Sequence, residues 1–287
     1  MNKRSGGLEG KVLIITQEMQ PYLEVSLAGT MIRDLLAQLK QHNYEARVMM
    51  PRFGRINEKK HRLHEVVRLS GMNITIGDDD YSLLIKVATL PEVRMQIYFM
   101  DNEEIFEKDY VFRDEFGQFL PNNGLRMTFF ARSVCEVLKK LGWEPDIIHI
   151  NGWFSTLVPL FIRRIYADEP MFKKARLILS VYDDYFPEKL EENWPEVIRV
   201  EETITDKDLE MYKEGTYEAL YYAAATLSDG IIIASEFIEP AFEKRLKEHA
   251  EQTGKPFLKL QDALDLKPFI EEHISFYRQL QHDEVAS

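Results

Sequence analysis

DIIHINGWFSTLVPLF, residues 146–161, changes its periodicity part-way along, and that change decides the fold. From Asp146 to Ile150 the chain is apolar almost without interruption, which suits a strand covered on both faces rather than one with a wet side. From Leu157 to Ala167 apolar residues recur every three to four positions, which predicts a helix. His149, Asn151 and Trp153 lie along the bend between the two.

The same strand-then-helix unit recurs in both directions from this stretch. KVLIIT (Lys11–Thr16), EARVMM (Glu45–Met50), RLILSV (Arg176–Val181) and GIIIA (Gly230–Ala234) read as further buried strands, and MQIYFM (Met95–Met100) as a possible sixth. Helical patterns over Thr30–Gln41, Arg126–Leu141 and Lys207–Leu227 separate them. Strands alternating with helices imply right-handed crossovers, so an α/β domain with a doubly wound, mostly parallel, Rossmann-like sheet is expected. Residues 65–100 depart from the alternation: VVRLSGMNITI, YSLLIKVATL and RMQIYFMD are β-like runs joined by short turns, as in a small antiparallel insertion. Residues 237–287 read as a helical tail, in which a charged amphipathic helix is broken by TGKP and a second helix runs to about Gln281. The whole of 1–287 is expected to form a single domain. Asp183–Glu210 is acidic and holds two prolines, the composition of a long surface excursion.

At 287 residues, 45% hydrophobic and 29% charged, the chain has the composition of a globular protein able to bury a large core. Its net charge of −12, from 36 basic and 48 acidic residues, argues against nucleic acid, whose backbone demands concentrated positive charge. A neutral sugar, a partner protein or a small metabolite remains open. No apolar run reaches the roughly 18 residues of a membrane span, and MNKRSGGLEGK lacks the apolar stretch of a signal peptide. A cytoplasmic protein with no membrane contact is therefore expected. Cys135, the only cysteine, fits a reducing compartment and reads as an ordinary helix-face thiol.

Ligands of a doubly wound sheet bind at the carboxyl ends of its strands, so four bends matter. TQEMQPYLEVSLAGT, after the first strand, has only the late Gly29 and neither a Walker nor a GxGxxG pattern, which argues against phosphate binding there. In MPRFGRI, Arg52 and Arg55 either meet an anion or form a solvated basic loop. At the third bend an imidazole, an amide and an indole from His149, Asn151 and Trp153 suit a sugar, with its hydroxyls and apolar ring face, if they share one cleft; structural roles are the alternative. In SVYDDYFPE, Asp183 and Asp184 are adjacent with Tyr182 and Tyr185 beside them, but neighbouring carboxylates on an extended chain point apart and make no acid and base pair. His61 and His64 lack metal-ligand partners at the right spacing, Glu243 and Glu251 fall in a charged helix, and no G-x-S-x-G elbow occurs. No metal or cofactor is expected.

Taken in order, KVLIITQEMQPY, MPRFGRI, IYFMDNEEIF and NNGLRMTFFARSVCEVLKKLGWEPDIIHINGWFSTLVPLF resemble the N-terminal domain of bacterial glycogen synthases and plant starch synthases, over roughly residues 11–182. TYEALYYAAATLSDGIIIASE (216–236) resembles the same family's later helix and strand. The resemblance implies one Rossmann-like half of a GT-B glycosyltransferase fold, in a family that transfers glucose from ADP-glucose to the end of an α-1,4-glucan. In that family the N-terminal domain mainly holds the acceptor, and the C-terminal domain holds most of the donor and an essential glutamate. The expectation is thus a synthase-like domain lacking that donor half, inactive alone and acting with a separate chain that supplies it or with a full synthase. The alternative is a noncatalytic α-glucan-binding or regulatory scaffold protein; a remnant that keeps the frame without a ligand is a third reading.

The departures from the family are specific. Its K-T-G-G-L turn, which meets the donor phosphates, becomes Glu24, Val25, Ser26, Leu27 and Ala28, so an acid stands where a base is needed. Neither Ser26 nor Leu27 has glycine's backbone freedom. The family's HCNDWHTGLVP becomes HINGWFSTLVP, keeping His149, Asn151, Trp153 and Pro159 but placing Gly152 for the aspartate and Phe154 for the second histidine. T-I-H-N-L becomes Ser180, Val181, Tyr182, Asp183 and Asp184. No catalytic residue is expected. His149, Asn151, Trp153, Tyr182 and Asp183 are the candidate glucan-binding residues, and Glu24, Ser26 and Leu27 mark a degenerate donor-phosphate turn.

Overall fold

The computed structural model describes residues 8–106, 109–261 and 265–282. The basic start at residues 1–7, and residues 262–264 and 283–287 of the expected tail, lie outside that set. Ten strands, β1 (Gly10–Thr16), β2 (Tyr44–Pro51), β3 (His64–Glu65), β4 (Met72–Ile76), β5 (Asp79–Leu90), β6 (Met95–Asp101), β7 (Ile147–Asn151), β8 (Arg176–Val181), β9 (Gly230–Ile233) and β10 (Phe257–Lys259), form one sheet. Its order is β10-β9-β8-β7-β1-β2-β6-β5-β3, with β4 on β5. Pairing is parallel from β10 through to β6 and antiparallel only around β5. The doubly wound reading holds, with β1 at the point where the connections diverge.

Eleven α-helices cover the sheet among the described residues: α1 (Leu27–Gln41), α2 (Glu58–His61), α3 (Glu103–Phe106), α4 (Asn123–Leu141), α5 (Val158–Arg164), α6 (Pro170–Lys173), α7 (Trp194–Ile198), α8 (Asp206–Tyr212), α9 (Tyr217–Leu227), α10 (Pro240–Thr253) and α11 (Leu266–His282). None is long and apolar enough to cross a membrane. Val12 to Ile15 of β1 are fully buried, the outcome of covering a parallel strand on both faces. Cys135 is likewise buried on α4.

Three boundaries differ from the sequence reading, each for a local reason. Helix α1 starts three residues before Thr30 because Ser26 caps it, its hydroxyl accepting from the Ala28 N–H at 3.2 Å. The pattern over Lys207–Leu227 is two helices, α8 and α9, divided at Gly215, whose φ of 59° only glycine adopts freely. Within residues 65–100, β6 belongs to the parallel sheet through β2, so only β3, β4 and β5 form the antiparallel edge.

The acidic excursion is packed rather than loose. Trp194 is buried with its indole donating to the Tyr212 carbonyl at 3.0 Å. The Glu191 carboxylate accepts the Gly124 and Leu125 N–H groups at 2.9 and 2.7 Å, the favoured place for an anion at the start of α4.

The tail is two helices with a short strand between them, β10, which extends the sheet beyond β9. Helix α11 then runs back to pack beside α1. Its Phe276 and Leu280 press on Gly230, where any Cβ would fall 2.9 Å from the Phe276 ring. The Tyr277 hydroxyl lies 2.6 Å from His149 Nδ1, while His149 Nε2 lies 2.7 Å from the Ser180 hydroxyl. Tyr277→Phe is expected to cost about 1–3 kcal/mol, because it strands one nitrogen of a fully buried imidazole. Urea unfolding of the two proteins measures this; equal midpoints would mean that α11 contributes no polar anchor.

Candidate functional site

A cleft of about 610 Å³ opens at the carboxyl ends of β1, β7 and β8, where a doubly wound sheet is built to bind. Its lining falls into two kinds. Half-buried Phe112 and Phe119 supply aromatic surface over buried Trp153 and Phe186, whereas Glu24, Asp114, Asp183 and Asp184 supply carboxyl groups against the guanidiniums of Arg55 and Arg113. The aromatic part is one packed cluster: the Trp153 ring lies 4.7 Å from both Phe112 and Phe186, and Phe119 stacks on Phe186 at 5.0 Å and 17°. Offset and edge contacts of this kind hold the rings rigid before any ligand arrives.

The five candidate residues divide. Trp153 and Asp183 line the cleft; His149, Asn151 and Tyr182 do not. His149 and Asn151 are two residues apart on β7 and so share one sheet face, the face buried beneath α1 and α11. Asn151 accepts from the Tyr182 hydroxyl at 3.0 Å and donates to the His149 carbonyl at 3.0 Å. Tyr182 lines a small internal gap together with Met31, Leu35, Ile270 and His273 of the covering helices. A single cleft shared by all these side chains is therefore corrected: strand alternation sends His149 and Asn151 under the floor, and Tyr182, just past β8, turns its hydroxyl to Asn151 there. Burial, with His273 nearby, drives the His149 pKa well below its usual value, so its imidazole is neutral and structural.

Two residues not singled out as ligand-facing organise the floor. Asp184 is held by Gln17 Nε2 at 2.8 Å, the Trp153 N–H at 3.0 Å and the Tyr221 hydroxyl at 2.8 Å. Gln17 in turn accepts the Phe154 N–H at 3.0 Å. This amide and carboxylate pin the bend at Gly152, whose φ of 83° and ψ of 154° suit glycine almost alone. A Cβ there would lie 2.4 Å from the Gln17 side chain. Phe154, in the position of the family's second histidine, is fully buried against Phe53, Phe112 and Phe130 and offers the cleft no polar atom.

Burial raises the Asp184 carboxyl to about 7 even though its three donors and the nearby Glu18 act on it as well, the donors lowering it and Glu18 raising it. Its folded pKa thus lies above the unfolded value of 3.8, so the folded protein binds this proton more tightly than the unfolded chain. The stability it contributes is complete below that unfolded value and is lost as pH rises towards about 7. In Asp184→Asn this part of the pH dependence should vanish. The amide oxygen keeps the Gln17 and Trp153 donors, and the Tyr221 hydroxyl turns to accept from the amide nitrogen. Unfolding free energies from pH 4 to 8 test this, and parallel curves for the two proteins would refute it.

At the turn after β1, Glu24 is exposed and lines the cleft, with Gln20 and Thr30 donating to its carboxylate. Ser26 also lines the cleft, while Leu27 begins α1 and is not among the lining residues. Two backbone donors of this turn are already committed. Buried Glu18 accepts the Val25 and Ser26 N–H groups at 2.6 and 2.8 Å through Oε2 and the Ser26 hydroxyl at 2.7 Å through Oε1. Arg113 is paired in bidentate fashion with Glu188 at 2.7 and 2.8 Å, and Arg52 sits 2.9 Å from buried Asp101. Arg55 alone among the cleft's cations has no ion pair among the described residues. Nor do these residues contain a group of three or more metal-binding side chains placed to hold an ion.

Known proteins resemble this chain in sequence and in fold. Glycogen synthase of Chlorobium luteolum is 36% identical over 176 residues, covering 61% of this chain and 36% of that protein. Glycogen synthase of Chlorobaculum parvum is 38% identical over the same length and the same shares. The chain thus spans about a third of the length of the curated relatives it matches. Among solved structures, the catalytic domain of starch synthase IV from Arabidopsis thaliana bound to ADP and acarbose superposes with a TM-score of 0.70 at 16% identity, over 88% of this chain and 51% of that one. That likeness establishes the fold, a Rossmann-like domain of the GT-B type. Residues 11–249 match the starch synthase catalytic domain family along most of the chain, and the chain belongs to that family.

Proposed function

We propose that this domain holds a neutral α-glucan or maltooligosaccharide in the cleft and does not itself transfer glucose from ADP-glucose. The observation that carries the reading is the turn after β1: two of its N–H groups, those of Val25 and Ser26, donate to the protein's own Glu18, and the charged side chain it presents to the cleft is the Glu24 carboxylate. A nucleoside diphosphate needs free N–H donors and positive charge, and here it meets the carboxylates of Glu24, Asp114 and Asp183 and two guanidiniums, one already paired. A glucan needs neither. It presents apolar ring faces to aromatic surface and hydroxyls to carboxylates, and the cleft supplies both.

The glycogen and starch synthases related to the chain make an α-glucan the sugar to try first. Action beside a separate donor-binding chain or a full synthase, as regulator or scaffold, is part of the same proposal, and co-purification from the source organism tests it. The binding claim is tested by calorimetry. Maltooligosaccharides should give saturable heat with the wild-type protein and none with Phe119→Ala, whose half-buried ring lines the cleft, provided that circular dichroism shows that variant folded. Absence of heat from the wild type up to millimolar ligand would sink the glucan reading.

A further inference from the structure

At the opposite end of the sheet from the cleft, a cavity of about 340 Å³ lies between the amino ends of β2 and β6. β2 begins at Tyr44 but pairs in register with β6 only from Val48 and Ile97 onward, which leaves a gap below that point. One wall comes from residues 40–47, at the end of α1 and the start of β2, and the other from residues 93–96, where the β5–β6 turn runs into β6. We propose that this cavity binds a small organic bisphosphate, with one phosphate against each wall.

The charge of the lining runs against that of the whole protein. In a chain of net charge −12, the cavity sets Lys40, Arg47 and Arg94 against the single carboxylate of Glu45. That carboxylate is already engaged, by the Trp143 indole donating at 2.7 Å and by Arg47 at 3.5 Å. The Arg47 guanidinium also lies 4.6 Å from the centre of the Trp143 ring, which holds it in place with N–H donors to spare. Lys40 donates to the Glu92 carbonyl at 3.2 Å, which ties the two walls together and leaves further donors on its ammonium. Lys40 and Arg94 have no ion pair among the described residues. Gln96 accepts the Tyr98 hydroxyl at 2.7 Å through Oε1, so its amide nitrogen is the end left to donate.

Arg94 is the more telling residue. It closes the turn between β5 and β6, its N–H donating to the Leu90 carbonyl at 2.8 Å, with a left-handed φ of 56° that a glycine would adopt freely. An arginine there carries a backbone cost that the turn itself does not require, which gives its guanidinium a use other than folding. Two phosphates rather than one follow from size and arrangement: the cations stand on both walls, and the volume falls in the roughly 300–1,000 Å³ range of small-molecule sites, more than an inorganic phosphate fills. Val93 and Met95, both buried, add apolar lining for the carbon frame between the phosphates.

Calorimetry with fructose 1,6-bisphosphate at constant ionic strength tests the site. The wild type is expected to give saturable heat with a Kd of about 0.1 mM, and inorganic phosphate, which reaches one wall only, to bind about a hundredfold more weakly. Arg94→Gly and Lys40→Met should each weaken bisphosphate binding about tenfold or more. Arg94→Gly should do so with no loss of stability in urea, because glycine accepts this φ, and Lys40 is exposed, so neither variant is expected to unfold. Lys244→Met, at an exposed lysine of α10 outside the cavity, should leave binding unchanged, which separates a site from general attraction to surface cations. No heat from the wild type at millimolar bisphosphate, equal binding of inorganic phosphate, affinity that survives both cavity substitutions, or an equal loss in Lys244→Met would each overturn the proposal.

Discussion

Gly152→Asp is expected to destabilise the domain by about 3–5 kcal/mol, although it restores the residue that the family carries at this position. Two costs add. An aspartate at a φ of 83° and ψ of 154° occupies a region open almost only to glycine, at about 1–3 kcal/mol. Its Cβ would also lie 2.4 Å from the Gln17 side chain and must expel it. Moving Gln17 removes its bonds to Asp184 and to the Phe154 N–H, leaving a buried donor unpaired at about 1–3 kcal/mol more. Urea or thermal unfolding measures the loss. A variant as stable as the wild type would mean that Gln17 and Gly152 are not mutually dependent. The Gln17 side chain occupies the space that an aspartate at this position would need.

The second large effect is expected from Glu18→Ala, at about 2–4 kcal/mol, because three donors lose a charged acceptor and a buried volume empties. Here the loss has a signature that ordinary destabilisation lacks. The Val25 and Ser26 N–H groups and the Ser26 hydroxyl would become available to an external anion at the start of α1. Millimolar phosphate should accordingly raise the melting temperature of Glu18→Ala and leave the wild type almost unmoved, since only the variant gains a ligand for its native state. Equal responses from the two proteins would show that Glu18 does not occupy an anion position.

How much of this was legible beforehand depends on the physical scale of the signal. Strand runs such as KVLIIT and RLILSV and the helical periodicity around Leu138 carry the fold, because burial on both faces of a parallel sheet writes itself into consecutive residues. β10 carries no strand signal in the sequence, since FLK is three residues long and partly buried at a sheet edge. In the site, Trp153, Asp183 and Glu24 follow strands in the sequence and line the cleft in the structure. His149 and Asn151 do not line it, because being near a strand's end says less than strand alternation about which way a side chain faces. Gln17 and Asp184 left no motif: their partnership joins positions 17 and 184 across the sheet, and only the folded arrangement brings them within 2.8 Å. Glu18, one of 48 acidic residues, gave no local signal that its carboxylate turns inward.

The central claim is that the cleft takes a glucan and refuses a sugar nucleotide. Its most direct test is to incubate the purified protein with glycogen and ADP-glucose labelled in the glucose, and to follow label in the polymer over time. Incorporation no greater than in the protein-free control is predicted; time-dependent incorporation that scales with protein concentration would contradict it.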